Sequence, residues 1–349
     1  MVDAWEALAD QLRASPFTRA GWMLAWARAF APGRLRVLVA SQDDELVGVL
    51  PFTARRGVLS SPTNWHTPVF GFLAADGDVR DALATSLVSR ARGRVDVSFL
   101  DRADPQLDAC VGAARRAGRL VVVRTVLRSP CVSLAGSWED YRGSLARKAR
   151  RDIERRMRRL SDEGAVTLDL RDRVDEPELA RLLEDGFRLE GSGWKQAHGT
   201  AIASQPQTQL FYTEVARWAA AHGLLQLAFL RLDGRPIAFD LCLCAGSVTY
   251  VLKGGFDPAL RRFAPGLALT YESLRRAFEA GQTSYELLGD EDPYKLTWTR
   301  NVRERVRFQA FSRSPRGRAG HLAWTHGRVG VRRALAIAKR LDARGARAG

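Results

Sequence analysis

The stretch VTYVLKGGFDPALRRFAPGLA, residues 248–268, decides the fold. Its first six residues are rich in β-branched and aromatic side chains, which predicts a strand. A loop with glycine and proline follows, and Pro265 then opens a pattern typical of a helix. The first N–H groups of a helix have no partner within it and lie at the positive end of its dipole. With Arg261, Arg262 and Gly266 beside them, these groups predict an anion site, although an ordinary loop with proline at a helix start has the same pattern.

The elements on either side of this stretch predict a mixed α/β domain. Upstream, Leu224–Leu232 and Pro236–Cys244 are strand-like and are joined by Asp233-Gly234, a strong hairpin signal. Downstream, Gly266–Ala280 has a helical pattern and Tyr285–Leu288 has the pattern of a short strand. We therefore expect an antiparallel meander that leads through a helix to a further strand.

A basic helix is predicted before the meander. Ser137 is placed to cap it, with Asp140 at the third helical position as an acidic variant of the capping box. Apolar residues then recur every three or four positions as far as Leu160, and Gly164 ends the pattern. Arginine and lysine occupy much of the remaining helix surface. The pattern thus predicts one continuous helix with a narrow apolar stripe and a cationic face.

The first half of the chain repeats this order of elements. Leu35–Ala40 and Leu46–Phe52 form a second predicted hairpin with an acidic turn, and Asp78–Arg92 is the predicted helix after it. This repetition indicates a duplicated α/β (mixed) unit, of which only the second keeps the signals of a working site. The predicted domains are a degenerate one at 1–135, a working one at 136–315 and a basic helical tail at 316–349.

The composition is that of a globular protein with two cationic segments. Of 349 residues, 46% are hydrophobic and 27% are charged, and the net charge is +15. Residues 142–159 carry nine basic side chains against two acidic ones, and residues 316–349 carry nine against one, which accounts for the whole excess. Each segment is either a solvated helix face or a weak contact for tRNA or an anionic membrane surface. No membrane span or signal peptide is recognisable, so we expect a cytoplasmic protein.

Metal and disulfide chemistry are not indicated. Four cysteines in a chain of this length are too few for a disulfide scaffold. Cys242 and Cys244 share one face of a predicted strand and are expected to be small buried side chains. The five histidines form no metal-binding pair, so no metal site is predicted.

A glycine-rich segment, residues 190–200, predicts a positioned loop in place of regular structure. It carries Glu190, which is either a general base or a solvated carboxylate. It also carries Trp194 and Lys195, which we expect to contact an acceptor. A tryptophan in a loop, however, also commonly fills space in the hydrophobic core.

Two further carboxylates are candidates for a general base. Glu291 lies in the polar loop after Tyr285–Leu288, together with Tyr294 and Lys295. Asp240 lies in an apolar strand, where burial would raise the pKa of its carboxyl group towards the range that is useful for a base. Asp240 is equally suited to accept a structural hydrogen bond.

The sequence over about residues 137–300 resembles the GNAT acyltransferase superfamily. The resemblance is specifically to the CelD-like (BioF-like) acetyltransferases, which are related to the FemAB peptidyltransferases. It rests on short motifs in a matching order: LARKARR at 145–151, GWK at 193–195, DGRPIA at 233–238, RFAPG at 262–266 and GDEDPYK at 289–295.

The resemblance implies two tandem GNAT-like folds and transfer of an acyl group from acetyl-CoA or another acyl-CoA to an amine. The implied acceptor is an amino sugar, another glycan amine, an amino acid or a natural-product scaffold. Tyr294 matches the position of the tyrosine that protonates the leaving thiolate in many GNAT enzymes, or is a phenol packed on Trp298. This sequence departs from the GNAT phosphate signature Q/R-x-x-G-x-G/A, because Ala264 stands at the position of the first glycine. FemAB-type relatives use aminoacyl-tRNA in place of acyl-CoA.

We therefore predict a GNAT-type N-acyltransferase, and we leave its oligomeric state open. Alternatives are a FemAB-like peptidyltransferase that uses aminoacyl-tRNA, and a non-catalytic protein that binds an anionic partner. The predicted catalytic residues are Tyr294, Glu291 and Asp240; those for CoA are Arg261, Arg262, Pro265, Gly266 and Leu267; those for the acceptor are Glu190, Trp194, Lys195, Lys253 and Lys295.

Overall fold

The computed structural model describes residues 1–192 and 202–327. The first half contains α1 (Val2–Gln11), α2 (Ala20–Phe30), β1 (Leu35–Gln42), β2 (Glu45–Arg55), β3 (Val58–Ser60), β4 (Leu73–Ala74), α3 (Gly77–Arg90), β5 (Arg94–Asp101), α4 (Pro105–Arg116) and β6 (Leu120–Ser133).

The second half contains α5 (Trp138–Ser144), α6 (Arg147–Ser161), β7 (Val166–Arg171), α7 (Glu176–Gly191), α8 (Pro206–Ala221), β8 (Leu225–Leu232), β9 (Arg235–Ala245), β10 (Val248–Phe256), α9 (Pro265–Glu279), β11 (Ser284–Glu286), β12 (Val302–Phe311) and α10 (Pro315–Leu322). Short 3₁₀ turns lie at Pro16–Thr18, Ile202–Ser204, Pro258–Phe263 and Lys295–Thr297.

One mixed sheet runs through the described part of the chain. Its strand order is β1-β2-β3-β5-β12-β6-β11-β10-β9-β8-β7, and β4 pairs with β2. Strand β6 connects the two halves, because most of it pairs with β12 while its last residues, 131–133, pair with β11. The strand β12 comes late in the sequence and yet lies between β5 and β6 of the first half. The predicted boundaries at 135 and 315 stay predictions.

The same unit occurs in each half, which agrees with the predicted tandem α/β fold. In the first half, α3 connects β3 to β5, and these two strands pair in parallel. In the second half, α9 connects β10 to β11, which also pair in parallel. Each unit is preceded by two helices and an antiparallel hairpin, so the duplication that the sequence predicts is present in the order of elements.

The hairpin turn at Asp233-Gly234 is confirmed. Asp233 and Gly234 have φ values of 50° and 78°, the left-handed pair that a two-residue hairpin requires. The Asp233 carboxylate also accepts a hydrogen bond from the Ala165 N–H at 2.8 Å, which ties the turn to the start of β7.

The basic segment forms two helices, so the prediction of one continuous helix is wrong. The Ser137 cap is present, with the Asp140 N–H 3.1 Å from its hydroxyl oxygen. Leu145, however, is extended at φ −62° and ψ 145° and ends α5. Its side chain is buried with Trp138 and Ile153 in a core cluster beneath α9. The break lets α5 and α6 each direct an apolar side chain into that cluster, and tertiary packing here overrides helical periodicity.

The tail is helical where it is described, over Pro315–Leu322. Leu322 is exposed, whereas the ring of Trp324 lies 4.5 Å from the Arg307 guanidinium carbon. The rest of the predicted basic helix, residues 328–349, lies outside the described residues. Among the described helices, none is long and apolar enough to cross a bilayer.

Candidate active site

The strands β10 and β11 form a gap at the centre of the second half. They pair over three residues, and Tyr250 opposite Glu286 is the last pair. Strand β10 then continues to Phe256, hydrogen-bonded to β9 on one edge and to no described strand on the other. Lys253 and Gly254 belong to the segment 248–268 and lie in this one-sided stretch, the part of β10 that pairs with β9 alone. The parallel pair therefore separates beyond Tyr250, and this edge of β10 has no described strand beside it.

Asp240 lies across the ladder from Gly254 and covers it. The two residues are register partners in β9 and β10. A Cβ placed on Gly254 would be 2.0 Å from Asp240 Oδ1, so only glycine leaves room for the carboxylate at this point. Asp240 is half-buried and lies on the same strand face as the buried Cys242. The sheet therefore holds this carboxylate beside the open stretch of β10.

Tyr294 lies in the loop after β11, at the start of a 3₁₀ turn. Its side chain is 55% exposed. The pKa of its hydroxyl group is nevertheless raised, first by burial of that group and then by the charges of Asp292 and Asp240. The charge of Asp240 thus acts on the Tyr294 hydroxyl in the folded chain, although the two residues are 54 positions apart in the sequence. A phenol with a raised pKa keeps its proton at neutral pH and can donate it.

Lys295 holds the loop that carries Tyr294. Its side chain is 7% exposed, and its ammonium group lies 2.9 Å from the Leu288 carbonyl oxygen, 3.0 Å from that of Asp290 and 2.9 Å from Asp292 Oδ2. These three contacts match the three donors of an ammonium group. The predicted role of Lys295 in binding an acceptor is therefore not favoured by this geometry, which gives the side chain a structural role in the loop.

Glu291 faces away from the gap. Its carboxylate lies 3.0 Å from Arg128 Nε at the protein surface, and both side chains are substantially exposed. Of the three predicted catalytic residues, Glu291 is thus engaged in a surface ion pair, whereas the charge of Asp240 acts on Tyr294.

Glu190 and Lys253 both lie near His66, whose pKa their charges influence. The Glu190 side chain is only 1% exposed, and its carboxylate accepts a hydrogen bond from the Ile202 N–H at 2.9 Å. Its backbone presses on β10, because a Cβ on Gly255 would lie 2.3 Å from Glu190 Cα. The Lys253 ammonium lies 5.5 Å from the centre of the Tyr212 ring in α8. The predicted acceptor residues Glu190 and Lys253 therefore share one partly buried, polar region.

The sequence analysis missed His66, which the first half brings into this region. One of its ring nitrogens, Nδ1, lies 3.3 Å from the Tyr212 hydroxyl, and Nε2 lies 3.4 Å from Thr208 Oγ1. Its ring also stacks on Phe30. Burial lowers the pKa of His66 to about 4, with the Lys253 charge adding to the effect and Glu190 opposing it. No local signal points to His66, since the contact to Tyr212 spans 146 residues.

The start of α9 offers hydrogen-bond donors and cations to an anion. Ala264 adopts the left-handed conformation (φ 51°, ψ 57°) and directs the chain into the helix. Pro265 has no N–H, and the Leu267 N–H donates to the Ala264 carbonyl at 2.9 Å. The Gly266 N–H donates to no atom of the described residues. Arg261 and Arg262 are exposed beside it, so the group predicted for CoA fits a pyrophosphate through one free amide and two guanidinium groups.

Two of the predicted acceptor residues, Trp194 and Lys195, lie outside the described residues. Within the described ranges, no cluster of histidine, cysteine and carboxylate side chains is arranged to hold a metal ion.

Comparison with known proteins identifies the second half of the chain. Residues 147–296 match the family model of the acetyltransferase (GNAT) domain, Acetyltransf_6. No curated protein matches the sequence.

Solved structures resemble the whole fold at low sequence identity. FemX is 13% identical over 92% of this chain and 98% of its own, with a TM-score of 0.60. The C-terminal DUF2156 domain of a candidate lysylphosphatidylglycerol synthetase from Agrobacterium fabrum is 14% identical over 94% and 95%, with a TM-score of 0.56. L-PGS from Bacillus licheniformis is 11% identical over 84% and 91%, with a TM-score of 0.52.

These structural similarities concern the fold, and the family match concerns the half of the chain that contains the gap, Asp240, Tyr294 and the start of α9. Residues 147–296 match the GNAT acetyltransferase domain, which supports an acyltransferase, and the fold of the whole chain is similar to that of FemX.

Proposed function

We propose that the protein transfers an acyl group from acyl-CoA, in the first place acetyl-CoA, to an amine in the gap between β10 and β11. The observation that carries the proposal is the position of Asp240 opposite Gly254, beside the stretch of β10 that is paired on one edge only. The family match and the anion site at α9 support the choice of donor. The cytoplasm is the proposed location.

The start of α9 holds the pyrophosphate in this proposal. The Gly266 N–H donates to a phosphate oxygen, and Arg261 and Arg262 neutralise charge from the solvent side. Leu267 lies in the first turn of α9, and Pro265 fixes the direction in which this helix begins. The donor, when bound, supplies an activated acyl carbon on a good leaving group.

The remaining chemistry belongs to side chains of this chain. The amine nitrogen forms a bond to the acyl carbon while the carbon–sulfur bond breaks. Asp240 Oδ takes the proton that the amine loses, and the Tyr294 hydroxyl donates a proton to the departing sulfur. The negative charge of Asp240 also keeps Tyr294 protonated before the reaction, in agreement with the raised pKa of the phenol.

The acceptor is proposed to enter from the face that carries Glu190, Lys253 and His66. A buried carboxylate beside a cation suits an amine that carries other polar groups, such as an amino sugar or an amino acid. The polar contacts of this region come from α7, α8, β10 and the loop that carries His66, so the two halves of the chain would form it jointly.

Isothermal titration with acetyl-CoA, and separately with tRNA, tests the donor. We expect saturable binding of acetyl-CoA and none of comparable strength for tRNA. The Arg262→Glu variant should bind acetyl-CoA at least about tenfold more weakly, because it places a negative charge beside the pyrophosphate.

Arg34→Glu is the matched control, since it makes the same charge change at an exposed position in the first half. It should leave acetyl-CoA affinity unchanged. If tRNA binds and acetyl-CoA does not, the peptidyltransferase alternative replaces this proposal. If neither binds, the anion-binding alternative gains support.

A further inference from the structure

The basic helix α6 lies directly against the loop that precedes α9. Arg156 Nη1 donates a hydrogen bond of 2.8 Å to the Arg262 carbonyl oxygen. Just beyond the end of α6, Glu163 Oε1 lies 3.2 Å from Arg262 Nη2. One side of α6 is therefore fixed beside the pair Arg261 and Arg262, which the proposed function assigns to the donor.

The same side of α6 continues outward as a cationic edge. Successive residues of a helix are rotated by about 100°. Arg159 and Arg155 therefore lie about 60° and 100° around the helix from Arg156, on its solvent side. Both are exposed. Arg155 shares the Asp152 carboxylate with Arg156, whereas Arg159 forms no ion pair within the described part of the chain. Arg261, on the facing loop, likewise has no carboxylate partner there.

We propose that Arg155 and Arg159 bind the 3′-phosphate of coenzyme A. This inference rests on the proposed function, because it takes the pyrophosphate to be bound at Gly266 and Arg262. The 3′-phosphate is a second dianionic group on the same nucleotide, attached to the ribose and not to the pyrophosphate. A pair of guanidinium groups one helical turn apart, on a helix fixed to the loop at Arg262, is suited to such a group.

The proposal depends on where Arg155 and Arg159 lie on α6, and not on the total positive charge of the helix. Arg147 and Arg158 are also exposed on α6, but they lie about 160–180° around the helix from Arg156, which contacts the loop at Arg262. They form no ion pair with a described carboxylate. They therefore supply the same charge at the same distance from the helix axis without facing the loop.

Dephospho-CoA, which lacks only the 3′-phosphate, tests the inference. Isothermal titration should show that the wild-type protein binds CoA about tenfold more tightly than dephospho-CoA. In the double variant Arg155→Gln with Arg159→Gln, CoA affinity should fall to that for dephospho-CoA, and dephospho-CoA affinity should not change. An unfolded variant would lose both ligands, so the unchanged dephospho-CoA affinity also verifies the fold.

The double variant Arg147→Gln with Arg158→Gln is the charge-matched control and should keep the full preference for CoA. The inference is overturned if the wild-type protein binds both ligands equally, or if the two double variants lose the preference to the same degree. In each of those results CoA binding, and with it the proposed donor, still stands. If neither ligand binds the wild-type protein, the inference and the proposed donor fail together.

Discussion

The carboxylate of Asp240 occupies the space above Gly254 that a side chain would fill. A Cβ on Gly254 would lie 2.0 Å from Asp240 Oδ1 and 3.2 Å from the Phe239 carbonyl oxygen. The position of this candidate catalytic carboxylate thus depends on Gly254 having no side chain. It also depends on the antiparallel register that sets the two residues opposite each other.

The variant Gly254→Ala should displace Asp240 and abolish most acyl transfer. We expect turnover to fall by about 10²-fold, the order of the contribution of a general base, because the carboxylate must rotate away from the new methyl group. Gly143→Ala is the control, since a Cβ there meets no atom within 4 Å. Turnover of acetyl-CoA with a panel of amino sugars and amino acids measures the effect. Full activity in Gly254→Ala would remove Asp240 from the mechanism.

The variant Tyr294→Phe should lower kcat by about 10²-fold or more and change KM little. Protonation of the departing sulfur occurs only in the transition state, so its loss leaves ground-state binding intact. Tyr141→Phe is the matched control, because its hydroxyl donates to the Trp298 carbonyl at 2.8 Å and its ring packs in a hydrophobic cluster. That change should lower thermal stability and leave kcat unaltered. A normal kcat in Tyr294→Phe would assign Tyr294 a structural role.

The variant Lys295→Met should destabilise the protein by about 1–3 kcal/mol, because a buried carbonyl group, a partly buried carbonyl group and a carboxylate lose their donor. The loop it closes includes Leu288, a non-glycine residue at φ 47° that depends on such contacts. Chemical denaturation measures the change. Lys148→Met, an exposed substitution on α6, should stay within about 0.5 kcal/mol of the wild-type protein. Equal stability of the two variants would contradict the structural role of Lys295.

Acidification should destabilise the protein through His66. The pKa of His66 is lowered from 6.5 to about 4 in the folded state, so between these values the unfolded chain binds a proton that the folded chain does not. The free energy of unfolding therefore falls as the pH is lowered from 6.5 to 4 and levels off below that range.

Denaturation at a series of pH values, for the wild-type protein and for His66→Gln, measures this contribution. The pH dependence between 6.5 and 4 should be shallower in His66→Gln. The exposed His222, changed to Gln, serves as the control and should leave the His66-dependent fall in place. An identical slope in the wild-type protein and His66→Gln would show that His66 is not buried in the way the structure describes.

Local sequence signals were sufficient for most of the elements, although they missed the break at Leu145 between α5 and α6. The Asp233-Gly234 turn, the Ser137 cap and the strand–loop–helix at 248–268 depend on residues a few positions apart, and each forms as the pattern predicts. Residues with strong backbone preferences, such as glycine and proline, specify such features almost independently of their surroundings. The sequence therefore determined the mixed α/β class, the repeated unit and the GNAT resemblance.

Tertiary structure alone decided which of the ionisable residues share a site. Asp240 lies beside Gly254 because β9 and β10 pair in this register. Glu291 forms an ion pair with Arg128, and Lys295 donates to backbone carbonyl groups. His66 joins Glu190 and Lys253 across the two halves of the chain. A side chain's partners, burial and pKa depend on distances between segments that are remote in sequence, and no local pattern encodes those distances.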